Sequence, residues 1–188
     1  TAPSAYTQAV DTVAPTVSIS DNVTGTANGD VTFTFTFSEA VTGFDTDKVT
    51  VTGGTKGAFT ATSATVYTLV VTPAANSTTP ISVATSTTGV TDGAGNVATA
   101  PSAYTQAVDT VAPTVSNVVI SATGASGTQL NAGDVVTVTA TYSENVSGQP
   151  TTAPTLTIGT ETGIAMTPGT TTGNTRTWTY TISSAGTT

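Results

Sequence analysis

Val31-Thr32-Phe33-Thr34-Phe35-Thr36-Phe37 alternates apolar and polar residues without a fault. A period of two puts Val and Phe on one face of an extended chain and Thr on the other. Threonine is β-branched, which suits a pleated strand better than a helix interior. The stretch therefore predicts a half-buried strand, B. Working outward, the same pattern predicts A at Thr16–Ser20, C at Lys48–Thr52, D at Phe59–Thr62, E at Val66–Thr72, F at Ile81–Ser86 and G at Val97–Val108. Asn, Gly, Asp and Pro fill the breaks, as turns require. Seven short strands with one buried face each predict an all-β fold, two antiparallel sheets packed face to face.

The same logic extends to the rest of the chain. Fifty of the 188 residues are threonine, and 37% are hydrophobic. Residues Thr1 to Ser18 (TAPSAYTQAVDTVAPTVS) recur unchanged as Thr99 to Ser116, an offset of 98 (99 − 1). A period near 100 is too long for a solenoid repeat and fits one immunoglobulin-like sandwich, with Greek-key connections. Asp11-Thr12-Val13-Ala14-Pro15 and Asp109-Thr110-Val111-Ala112-Pro113 read as stiff joints between tandem sandwiches. Three segments follow: 1–12, a trailing strand G of a preceding repeat plus its joint; 13–110, a first domain; and 111–188, a second domain.

In that second domain Val115–Ser121 corresponds to A, Val135–Tyr142 to B, Thr155–Gly159 to C, Gly163–Thr167 to D and Arg176–Ile182 to E. Counterparts of F and G are not expected within it. Either a boundary falls inside a longer array, or Thr1–Val10 completes a neighbouring chain's sandwich by strand donation.

Composition narrows the function. Eleven carboxylates face only Lys48, Lys56 and Arg176, a net charge of −8. Nucleic acids and anionic membranes are bound through Lys and Arg, so neither is an expected partner. There is no Cys and no His, which removes the commonest nucleophile–base pairings and the usual zinc ligands. Asp45 and Asp47, two apart on an extended chain, point the same way and cannot oppose each other as acid and base. An enzyme is not expected.

The carboxylates have a place to gather. In such a sandwich the start of A and the B–C and F–G loops share one pole. Asp11 precedes A, Glu39 follows B, and Asp92 and Asn96 lie in Asp92-Gly93-Ala94-Gly95-Asn96 between F and G. Asp45 and Asp47, before C, are further candidates. Asp109 and Glu144, in Ser143-Glu144, repeat part of the arrangement. Oxygen ligands without nitrogen or sulfur suit a hard cation, and calcium accepts six to eight of them. The competing readings are tight turns, solvated loop ends and a charged edge that blocks aggregation.

Asp-Thr-x-Ala-Pro-Thr at each joint, Ser-Glu after B and Thr-Asp-Gly-Ala-Gly-Asn-Val-Ala before G resemble bacterial Ig-like repeats. Those repeats build giant cell-surface adhesins and biofilm-associated proteins, often secreted by type I systems, of the RTX-adhesin type. The resemblance implies an extracellular spacer on the bacterial surface, one of many links projecting a distal binding module that could meet host or surface glycans. It implies calcium at the junctions, held by Asp11, Glu39, Asp92 and Asn96 at one and by Asp109 and Glu144 at the next. Its partners would be neighbouring Ig-like repeats of the same chain or of adjacent subunits. A self-assembling filament and a carbohydrate- or receptor-binding module are the alternatives.

Overall fold

A computed structural model describes residues 5–124, 129–148 and 152–183. It is nearly all β, with one 3-10 turn at Thr46–Lys48 and no α-helix among the described residues. The chain divides into two compact units, Thr1–Val111 and Ala112–Thr188.

In the first unit β1 (Val17–Asp21), β2 (Val31–Phe37), β5 (Val66–Pro73) and β4 (Gly54–Ala61) form one sheet in the order β1-β2-β5-β4. The second sheet is β3 (Val49–Thr52), β6 (Ile81–Thr85) and β7 (Tyr104–Gln106), in the order β3-β6-β7. Read as A to G, this is ABED against CFG, the immunoglobulin constant-type arrangement. The alternation works as the sequence predicts. Val31, Phe33, Phe35 and Phe37 are buried and meet Leu69, Val71, Ile81 and Val83 between the sheets. Phe44, in the loop after β2, stands edge-on to Phe37 and Tyr67 with centroids 5.0 and 5.1 Å away. Such pairs contribute beyond their buried area. They anchor the loop that begins at Ser38-Glu39.

Gly53 lies between β3 and β4, where the chain changes sheets. Its φ is +76°, and a Cβ there would collide with the Pro80 carbonyl oxygen. Only glycine fits.

Strand G departs from expectation. Instead of one run from Val97 to Val108, only Tyr104–Gln106 forms a strand, paired with β6. Val97 bridges Thr91, Thr99 bridges Thr16 in parallel, and Val108 bridges Ala27 in parallel. Pro101 sits in the gap and has no N–H to give a ladder. The segment therefore crosses from the β1 side to the β6 sheet and back.

In the second unit β8 (Val115–Thr123), β9 (Val135–Tyr142), β13 (Thr175–Thr181) and β12 (Thr167–Thr172) make a sheet in the order β12-β13-β9-β8. The short strands β10 (Thr155–Ile158) and β11 (Glu161–Ala165) pair with each other. Expected strand D at Gly163–Thr167 is thus divided. Its first part turns back onto β10, and the chain passes through buried Met166 to join β13 as β12. Val136, Val138, Ala140, Leu156 and Trp178 form a separate core.

Of the expected trailing strand Thr1–Val10, residues 1–4 lie outside the described residues. Ala5–Val10 forms no strand, and each of its residues is exposed. A strand needs a ladder partner, and unit 1 already has the identical segment in that role.

Candidate metal centre

Three carboxylates converge at one end of the first sandwich. The chain before β1 carries Asp11, whose Oδ1 accepts the Val13 N–H at 3.0 Å. This Asx-type turn fixes the entry to the strand. At the end of β2, the Ser38 Oγ accepts the Thr16 N–H at 3.0 Å, and the Ser38 N–H donates to the Thr16 carbonyl at 2.9 Å. This two-way link brings the adjacent Glu39 to the start of β1. Below it, Val41 and Phe44 are buried, and the Tyr67 hydroxyl donates to the Val41 carbonyl.

The third member comes from the loop after β6. Asp92 is 6% exposed. Its Oδ1 accepts the N–H groups of Ala94 at 2.9 Å and Asn96 at 2.8 Å. Its Oδ2 accepts the Asn96 Nδ2 at 2.8 Å. Gly95, at φ +93°, supplies the left-handed residue that closes the turn. The Asn96 Nδ2 also donates to the Asp11 carbonyl at 3.2 Å, tying the loop to the joint.

One carboxylate oxygen from each of Asp11, Glu39 and Asp92 lies within 4.8 Å of the others. Asp11 is exposed, Glu39 half-buried and Asp92 buried. The Glu39 carboxyl is pushed above its ordinary range by partial burial, and then by the charges of Asp11 and Asp92. Asp92 is held below its ordinary range, chiefly by the Asn96 side chain and by backbone N–H donors, which outweigh its burial. Of the three basic residues, Lys56 donates to the Thr46 carbonyl and Arg176 to carbonyls of the second unit. Three oxygen donors around one point form a setting for a hard cation, whose charge would offset their mutual repulsion.

Other expected ligands stand differently. Asp45 caps the 3-10 turn, its Oδ1 accepting the Asp47 N–H at 2.9 Å, and neither aspartate joins the group. Asn96 presents N–H donors to Asp92 and Asp11, so in this arrangement it braces the carboxylates. Asp109 in unit 1 repeats the turn of Asp11, accepting the Val111 N–H at 3.1 Å. In unit 2 the Ser143 Oγ accepts the Thr114 N–H at 3.0 Å, the link seen at Ser38, so Glu144 follows its strand as Glu39 follows β2. The two serine hydroxyls were legible only as neighbours of Glu. Their recurrence before Glu in both units was the available signal.

A model of the bacterial Ig-like domain matches residues 11–108. The chain belongs to this family. The matched span begins at Asp11 and ends at Val108, so the bacterial Ig-like domain contains Asp11, Glu39 and Asp92 together. No curated protein matches the chain.

Proposed function

We propose that this bacterial Ig-like chain is a pair of extender links in a large bacterial surface adhesin, extracellular and stiffened by calcium. The carrying observation is the convergence of Asp11, in the joint, with Glu39 and Asp92, in the domain body. A cation shared between joint and body removes hinge freedom and lengthens the array. The partners are neighbouring Ig-like repeats, and a distal module outside this chain makes the adhesive contact. The role is mechanical, with no catalytic step.

A ligand that binds only the folded state stabilises it by about 2.7 kcal/mol at a hundredfold excess over Kd. For a domain of this size that corresponds to about 10 °C or more in Tm. Melting in millimolar calcium and then in chelator tests the reading. The gain should vanish in Asp11→Ala, while the Tm of that variant in chelator stays near the parent's. Equal melting of the parent in calcium and chelator refutes calcium stiffening.

A further inference from the structure

The loop between β1 and β2 ends in Asn28-Gly29-Asp30, and all three residues are exposed. Both flanks of this short stretch are fixed. Ala27, 2% exposed, donates its N–H to the Ala107 carbonyl at 2.9 Å and accepts the Asp109 N–H at 2.8 Å. Val31 is buried at the start of β2. Between them, the Asn28 side chain and the Gly29 N–H have no hydrogen-bond partner among the described residues. The carbon of an asparagine amide is an electrophile, and the backbone nitrogen of the next residue can reach it to close a five-membered ring. Two things oppose that closure: a side chain that crowds the nitrogen, and a hydrogen bond that holds its proton.

Asn28 escapes both restraints, and its counterparts do not. Of the eight asparagines in the chain, five precede Val or Thr, whose branched Cβ shields the nitrogen. Asn131 precedes Ala132, which still carries a Cβ. Asn76 has the left-handed φ of +50°, but the Ser77 N–H after it donates to the Thr110 hydroxyl at 2.9 Å. Asp92-Gly93 is the carboxylate version of the same pair. There Asp92 is buried, and both its oxygens accept hydrogen bonds. Gly29 has no Cβ, and one built there would meet nothing within 4 Å.

We infer that Asn28 is a self-modifying site, which deamidates through a cyclic imide with the Gly29 nitrogen and needs water alone. The Gly29 nitrogen gives its proton to solvent base and bonds to the Asn28 Cγ. The Cγ–Nδ2 bond breaks, and the nitrogen leaves as ammonia. Water then opens the imide at either carbonyl and leaves aspartate or isoaspartate, with nothing oxidised or reduced. Each event adds one negative charge to the net −8, two residues from Asp30. Isoaspartate also lengthens the main chain by one carbon, directly after the Ala27 grip on Asp109. The grip loosens, so the age of a chain is recorded where the joint leaves the first unit. The Asp11 cluster takes no part, and this inference and calcium stiffening fail separately.

The test incubates the full chain in mildly alkaline buffer and follows every asparagine by peptide mapping with mass spectrometry. Asn28 should convert roughly tenfold faster than any other, with isoaspartate the main product. The rate should rise with pH, because the Gly29 nitrogen must lose its proton to attack. Gly29→Ala should slow conversion by roughly tenfold, and the open space around Gly29 lets the fold accept the added methyl. In the aged parent the Asp109 amide should exchange with deuterium faster than in an equally aged Gly29→Ala chain. An Asn28 that stays intact, conversion led by another asparagine, an unaltered rate in Gly29→Ala, or Asp109 exchange that isoaspartate leaves unmoved overturns the inference.

Discussion

Glu39 and Asp92 share a cluster and carry opposite pH signatures. The raised carboxyl of Glu39 means that, between 4.5 and its folded value, the folded chain keeps a proton the unfolded chain has released. Stability from this group therefore falls as pH rises through that window. The lowered carboxyl of Asp92 acts the other way: its contribution is present above 3.8 and is lost as pH falls through the folded value. In chelator, Glu39→Gln should melt higher than the parent at neutral pH, with the advantage gone below pH 4.5. Calorimetry over a pH series checks this, and an unchanged neutral Tm means the repulsion is not felt. Asp11, Glu39 and Asp92 were legible because strand direction alone sends their loops to one pole. Asp45 and Asp47 were not separable from them, since capping a short turn and ligating an ion call for the same residue.

Among the strands, β2 and β9 fall on the residues that alternation predicts, because each is a central strand with one face in the core. Where pairing changes partner, periodicity carries no such information. Strand G breaks at Pro101, and the chain from Glu161 to Thr172 divides between two sheets at Met166. The loop after β9 depends on an element no pattern revealed. Arg176 on β13 is 1% exposed, yet it donates from Nε to the Gly148 carbonyl at 2.9 Å and from Nη1 to the Thr175 carbonyl at 3.0 Å. Its Nη2 reaches the Val146 carbonyl. The planar guanidinium serves all three directions, whereas a lysine ammonium is a compact point charge. Arg176→Lys should cost about 2 kcal/mol by urea denaturation, because a buried ammonium in place of the guanidinium cannot reach all three carbonyls. A loss within measurement error would show that water replaces the missing donors.

At the scale of the whole molecule, two separate cores carry two Ig-like units, and charge is sparse enough that apolar and hydroxyl groups dominate the surface. In the first unit Gln106 and Val108 are buried and Tyr104 packs on Phe33, whereas Tyr6 and Val10 of the identical earlier segment are exposed. The duplicated Ala-Tyr-Thr-Gln-Ala-Val has an immunological consequence. An antibody raised against this hexapeptide should find one epitope in each native monomer, around Tyr6, and two after denaturation, when Tyr104 is released. Stoichiometry by calorimetric titration before and after unfolding measures this directly, and two sites in the native monomer would mean that β7 opens readily.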